Sequence, residues 1–254
     1  MQKHIGYTSE QFAITEDRIY KYTNDPARIS FLNEQMNHLK LIGLRNPLVV
    51  PQNIKWEETE NAWGYSMEYI HNAERITDKN LPEVFNLITL CSRLGDKNDI
   101  PSFSTYVEYL KGVITKNSEL FQNNDYKLLN KYESTLISCI AEFDTYKSTS
   151  HGDFTMENIL VSGDRLVIID PIYKDGMWSS WLQDIAKFYQ NIYFSDIQKT
   201  LKFSQLVPDE SNSVFKLVHL LMIANYIRMF PYIKVKPLIY NQRYSEFQIL
   251  LNSL

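Results

Sequence analysis

The sequence predicts an α+β protein in two parts: a small antiparallel sheet with one inserted helix, then a larger and mostly helical region. Three observations carry that prediction. Short β-like runs dominate up to residue 70, and long helical patterns dominate from residue 71. One helical pattern, opened by Asp25-Pro26, interrupts the first block. One short hairpin, between Ile159 and Ile169, interrupts the second. The expected division is therefore 1–70 and 71–254.

Residues 11–22 read as two strands around a tight Thr15-Glu16-Asp17 turn, with Ile19, Tyr20 and Tyr22 as strand formers. Asp25 suits a helix N-cap and Pro26 the first helical position. Ile29, Leu32, Met36 and Leu39 then recur at helical spacing, and Glu34 lies off that stripe. The helix is expected to stop near Gly43, before Asn46-Pro47. Residues 48–56 and 63–70 read as further strands, the second ending before His71-Asn72. Helices are expected over 81–95, 103–116, 126–147, 179–194 and 212–229. The apolar runs Ile159-Leu160-Val161 and Leu166 to Ile169, split by Ser162-Gly163-Asp164-Arg165, give the hairpin.

Composition narrows the function classes. With 254 residues the chain is long enough to bury a substantial core. The net charge is −4 and no long Lys/Arg cluster occurs, which argues against nucleic-acid binding. Cys91 and Cys139 form no metal-ligand spacing and read as buried thiols in a reducing cytoplasm. No apolar run reaches the length of a bilayer span, so no membrane association is expected. No sequence feature specifies the oligomeric state.

The hairpin carries the chemistry. Asp153 and Asn158 precede its first strand and Asp170 follows its second. Antiparallel pairing brings Asn158 and Asp170 together, with Asp153 on the loop leading in. A carboxylate and an amide oxygen at one strand end make a hard-oxygen site for Mg2+, which takes few protein ligands plus substrate phosphates. The second carboxylate can accept a proton from an attacking hydroxyl. Phosphoryl transfer asks for such positioning and charge neutralisation, and little covalent chemistry.

The run HGDFTMENIL followed by Ile169-Asp170 resembles the catalytic loop of the aminoglycoside phosphotransferase and choline kinase family, which has a bilobal, protein-kinase-like fold. The pattern is H-x-D, four residues, N, an apolar run and I-D, and His151, Asp153, Asn158 and Asp170 match it in order and spacing. The resemblance implies Asp153 as catalytic base, Asn158 and Asp170 as metal ligands, and His151 as structural support. It implies that Asp184 anchors the loop. The combination of Ile169-Asp170-Pro171 with Asp184-Ile185-Ala186-Lys187 is similar to a bacterial subgroup associated with surface polysaccharides. In the first block it implies Lys21 at the nucleotide phosphates, Glu34 as its helical partner, and a hinge of Met67, Glu68, Tyr69 and Ile70 whose backbone binds adenine. The kinase G-x-G-x-x-G loop is absent, which leaves Thr8 and Ser9, after Gly6, to cover the phosphates.

The expected activity is transfer of the γ-phosphoryl group of ATP or GTP to a hydroxyl of a small molecule such as a sugar, an aminoglycoside, a choline-like alcohol or a nucleoside. Asp170 and Asp184 stand fourteen positions apart with no A-P-E motif between them, which disfavours a protein acceptor. Two other readings use the same residues: a catalytically silent nucleotide-binding regulator and a nucleotidyl (AMP) transferase.

Overall fold

The computed structural model describes residues 2–5, 10–172, 177–193 and 211–254. Contacts divide the chain into two compact units, Met1–Glu83 with His151–Tyr173, and Val84–Ser150 with Lys174–Leu254.

The first unit is built on a five-stranded antiparallel sheet. Its strands are β1 (Gln2–Ile5), β2 (Gln11–Ile14), β3 (Arg18–Thr23), β4 (Lys55–Thr59) and β5 (Ala62–Glu68), in the order β1-β2-β3-β5-β4. Register places Lys21 opposite Phe12 on one side and Tyr65 on the other. Asp25 caps a short 3-10 turn at Pro26–Arg28 by accepting from the Ala27 amide, and helix α1 (Ile29–Arg45) follows. It runs past Gly43 and ends where Asn46 turns the chain into Pro47. Leu32, Met36, Leu39 and Ile42 form its buried stripe, each contributing about 1.5–3 kcal/mol of burial. Residues 48–56 are not one strand. Pro47–Val49 form a 3-10 turn and the strand begins only at Lys55.

A second sheet joins β6 (Glu74–Arg75), β7 (Ile159–Ser162) and β8 (Arg165–Ile168). The hairpin thus groups with the N-terminal residues, and the expected boundary at residue 71 is not where contacts divide. Arg165 gives one physical reason. Its guanidinium donates to the carbonyls of Leu48 and Val50, both at 2.6 Å, and meets the Glu68 carboxylate at 3.3 Å. Glu68 also accepts from the Gln52 amide at 2.8 Å.

The second unit is helical. Helix α2 (Leu81–Cys91) enters it, followed by α3 (Phe103–Lys116), α4 (Asp125–Ser138), α5 (Ile140–Thr145), α6 (Trp181–Tyr193), α7 (Ser211–Ile233) and α8 (Pro237–Asn252). The pattern over 126–147 is two helices, broken at Cys139, and α8 has no counterpart in the periodicity reading. Ser102 caps α3, and Asp144 accepts from both Ser102 Oγ and the Phe103 amide at 2.7 Å. An aromatic core surrounds that end of α3: Phe103 stacks on Phe143 at 3.9 Å, and Trp178 meets Phe103 edge-on at 4.6 Å. Within α7, Val214–Ile233 is long and apolar enough by composition to cross a bilayer, contrary to the expectation from short apolar runs, and 67% of that window is buried in the protein.

Candidate active site

The candidate site lies in the first unit, on β3, α1, β5 and the loop and hairpin from His151 to Asp170. The loop is shaped by its glycine. Gly152 has φ +82°, and a Cβ there would lie 2.9 Å from the Ile172 carbonyl carbon, so no side chain fits. The Ile172 amide donates to His151 O at 2.8 Å, which closes the loop against the segment after Asp170. His151 is fully buried and its Nε2–H donates to the Ile169 carbonyl at 3.0 Å. Burial lowers its pKa to about 4, which outweighs the opposing pull of Asp153. It is neutral at physiological pH and ties the loop to the segment that follows β8.

Asn158 is fixed from two sides. Its amide donates to Thr155 O at 3.1 Å, and its carbonyl accepts from Ile169 at 3.0 Å. Its side-chain Nδ2 donates to Asp153 O at 2.9 Å and to Asp153 Oδ2 at 3.2 Å. That commits the amino end inward and leaves Oδ1 as the acceptor end. With Ile159 paired to Ile168 and Asn158 to Ile169, Asp170 is the next residue out at the same end of the hairpin. Asp170 has φ +55°, the left-handed region that a non-glycine residue rarely adopts and that clusters at functional sites.

Lys21 is 95% buried and its Nζ makes two bonds, to Asp170 Oδ1 at 3.0 Å and to Gln35 Oε1 at 2.9 Å. The helical partner of Lys21 is therefore Gln35, not Glu34. One residue along a helix is a rotation of about 100°, and Glu34 instead accepts from Ser30 Oγ at 2.8 Å on the outer side. Gln35 Oε1 also accepts from the Tyr65 hydroxyl at 3.3 Å. Burial, then the nearby Asp170 carboxylate, pushes the Tyr65 hydroxyl well above its usual range, so it remains a neutral donor. Gln35 and Tyr65 were missed by sequence reading. The available signal was position: Gln35 stands at i+3 from Leu32 and i−4 from Leu39, inside the buried stripe.

The hinge residues follow β5. Met67 is buried and pairs with Ile19. The amides of Glu68 and Tyr69 donate to Gln52 O at 2.9 Å and Asp17 O at 3.0 Å, whereas the amide of Ile70 has no partner among the described residues. Thr8 and Ser9 lie outside the described residues. Asp184 is on the first turn of α6 in the second unit and is fully buried.

The donor set fits magnesium better than a transition metal. Among the described residues no group of three or more His, Cys, Asp or Glu side chains is placed to hold a metal. One carboxylate, Asp170, and one amide oxygen, Asn158 Oδ1, at the same end of the hairpin are the hard-oxygen type that Mg2+ takes together with phosphate oxygens and water.

No family model matches the chain, and no curated protein matches it in sequence. Solved structures do match. Choline kinase LicA from Streptococcus pneumoniae superposes with a TM-score of 0.65 at 14% identity, covering 97% of this chain and 90% of that one. A choline/ethanolamine kinase family protein from Mesorhizobium loti gives 0.63 at 11%, covering 99% and 88%. A thermostable mutant of aminoglycoside phosphotransferase APH(4)-Ia, in a ternary complex with ADP and hygromycin B, gives 0.66 at 9%, covering 99% and 93%. The chain has the fold of these small-molecule kinases and phosphotransferases, and at such identities the likeness speaks for fold alone.

Proposed function

We propose that this chain is a phosphotransferase that moves the γ-phosphoryl group of ATP or GTP to a hydroxyl of a small molecule. The observation that carries the reading is the ion pair between Lys21 and the left-handed Asp170, at the hairpin end where Asn158 is tied to Asp153. Asp153 accepts the acceptor's hydroxyl proton as its oxygen bonds to the γ-phosphorus and the bond to the β–γ bridging oxygen breaks, releasing the nucleoside diphosphate. Asn158 and Asp170 would hold Mg2+, which supplies positive charge to the phosphates when bound. Lys21, steadied by Gln35, would contact the phosphates. The Glu68–Ile70 backbone would receive the base, with the Ile70 amide, which has no partner among the described residues, as its donor. Asp184 would support the loop. ADP and hygromycin B in a solved relative of this fold favour a nucleotide and a hydroxylated acceptor. The buried thiols of Cys91 and Cys139 accord with a cytoplasmic enzyme.

The test is nucleoside diphosphate release by the purified chain across a library of hydroxylated metabolites. Turnover that disappears in Asp153→Ala, with nucleotide binding retained, supports the reading. Nucleotide binding without turnover in any variant favours the silent regulator. Pyrophosphate with an adenylated product marks AMP transfer.

A further inference from the structure

Among the described residues, the three most exposed large apolar side chains of the helical unit stand at one turn. Where α7 gives way to α8, Leu238 is 88% exposed, Val235 76% and Tyr232 70%, with Ile239 beside them at 38%. A side chain exposed to that degree stands on a projection, since the walls of a groove would cover it. Single exposed leucines are ordinary, but a contiguous group of large apolar side chains marks a contact surface. The turn beneath them is well made. The Lys234 amide donates to Phe230 O at 3.0 Å, the Lys236 amide to Ile233 O at 2.8 Å, and the Tyr240 hydroxyl to Leu120 O.

Charge sets this turn apart as well. Lys234 and Lys236 flank Val235. From Ser211 to Ser245 the chain has five basic residues, Lys216, Arg228, Lys234, Lys236 and Arg243, and no Asp or Glu, although acids outnumber bases in the whole sequence by 30 to 26. Among the described residues, the acids paired with this stretch are Glu119, which meets Lys234 at 3.6 Å, and the buried Glu246, which meets Arg243 at 2.8 Å. Both side chains of the Glu119 pair are exposed, so the pair is weak and the Lys234 ammonium is open to another anion.

We propose that this turn seats in the surface of an anionic lipid bilayer, with Tyr232, Val235, Leu238 and Ile239 below the headgroups and Lys234 and Lys236 at the level of the phosphates. The length of apolar runs governs whether a chain crosses a bilayer, not whether it rests on one. A fluid surface admits a projection without a matching cavity. A stable protein interface takes about 20–30 residues from each side, and this turn offers four large apolar ones. A second copy seated on the turn would also bring like charges together. Lysine stems lie along apolar surface while the ammonium stays among polar groups, and tyrosine favours the same boundary. Charge selects the lipid, each lysine near an anionic surface adding about fivefold to partitioning. The proposal stands independently of the phosphotransferase reading.

The experiment sediments the full chain, without nucleotide, with sucrose-loaded vesicles of phosphatidylcholine alone or mixed with phosphatidylglycerol. The expected result is cosedimentation with the mixed vesicles that declines as salt is raised, and far less with phosphatidylcholine alone. Leu238→Glu should lower partitioning about thirtyfold or more, and Lys234→Gln and Lys236→Gln about fivefold each. All three positions are at the surface, so thermal melting should match the parent. Leu44→Glu, at a leucine of α1 that is 81% exposed in the other unit, should leave partitioning unchanged. Failure to sediment with the mixed vesicles, equal binding to both kinds, or a loss in Leu44→Glu as large as in Leu238→Glu overturns the proposal. So does light scattering that finds a dimer in solution which Leu238→Glu dissociates, because a second copy then covers the turn.

Discussion

Two sets of buried polar side chains, one in each unit, differ in how they are satisfied. In the first unit, Lys21, Gln35, Tyr65 and Asp170 close on one another: the ammonium has an anion and a neutral acceptor, and Gln35 Oε1 serves two donors. In the helical unit, Arg228, Trp178 and Asn225 present donors with few or no acceptors. The first arrangement fixes atoms in place before any ligand arrives. The second leaves donors unmet among the described residues. The difference is physical: a satisfied cluster holds its geometry in advance, whereas an unmet buried donor costs stability.

Substitutions can break this contrast, and the largest effect is expected beside the closed cluster. On the proposed reading Asp153 is the proton acceptor, and Asp153→Ala should lower kcat by about 10²- to 10⁴-fold, with nucleotide binding near the parent value. Steady-state kinetics alongside calorimetry would show it.

The next effect is on stability. His151 titrates near 4 when folded, against an ordinary value of 6.5. The unfolded chain takes up its proton first as pH falls, so stability is full above pH 6.5 and declines between 6.5 and 4, by about 3 kcal/mol in all. Urea unfolding at several pH values should show that decline, and His151→Asn should flatten it.

Arg165 holds the hairpin through two carbonyls and Glu68. Arg165→Met should cost about 1–3 kcal/mol in denaturant unfolding, because those acceptors lose their donors. It should leave the chemistry of Asp153 intact wherever the protein is folded.

The smallest effects sharpen the roles of two adjacent helix residues. Gln35→Glu would neutralise Lys21 before the phosphates arrive and should weaken nucleotide binding roughly three- to tenfold. Glu34→Ala, which loses only a bond to Ser30, should change stability and nucleotide affinity by no more than about 0.5 kcal/mol. Equal responses at the two positions would remove the basis for calling the cluster closed around Gln35.

Legibility in the sequence followed the range of the interaction. The hairpin at Ile159–Ile168 was readable because turn residues and apolar runs specify it locally. The stripe of α1 was readable from its period, but the partner of Lys21 was not, since one step along the helix turns a side chain by about 100°. The break at Cys139 was hidden because the apolar period continues through it. Helix α8 was hidden because Tyr244, Glu246, Phe247 and Leu250 bury a mixed polar and apolar face, with Tyr226 donating to Glu246 at 2.7 Å.

The sequence by itself determined the order of strands and helices in outline and supplied the candidate set Asp153, Asn158 and Asp170. These depend on short-range turn chemistry and on a motif contiguous in the chain. Only the tertiary structure decided that Lys21 meets Asp170 across 149 residues, that Gln35 rather than Glu34 steadies it, and that Arg228 meets no carboxylate among the described residues. Those outcomes depend on which side chains packing brings within about 3 Å, and hydrogen bonds and ion pairs fall away too steeply with distance for sequence spacing to specify them.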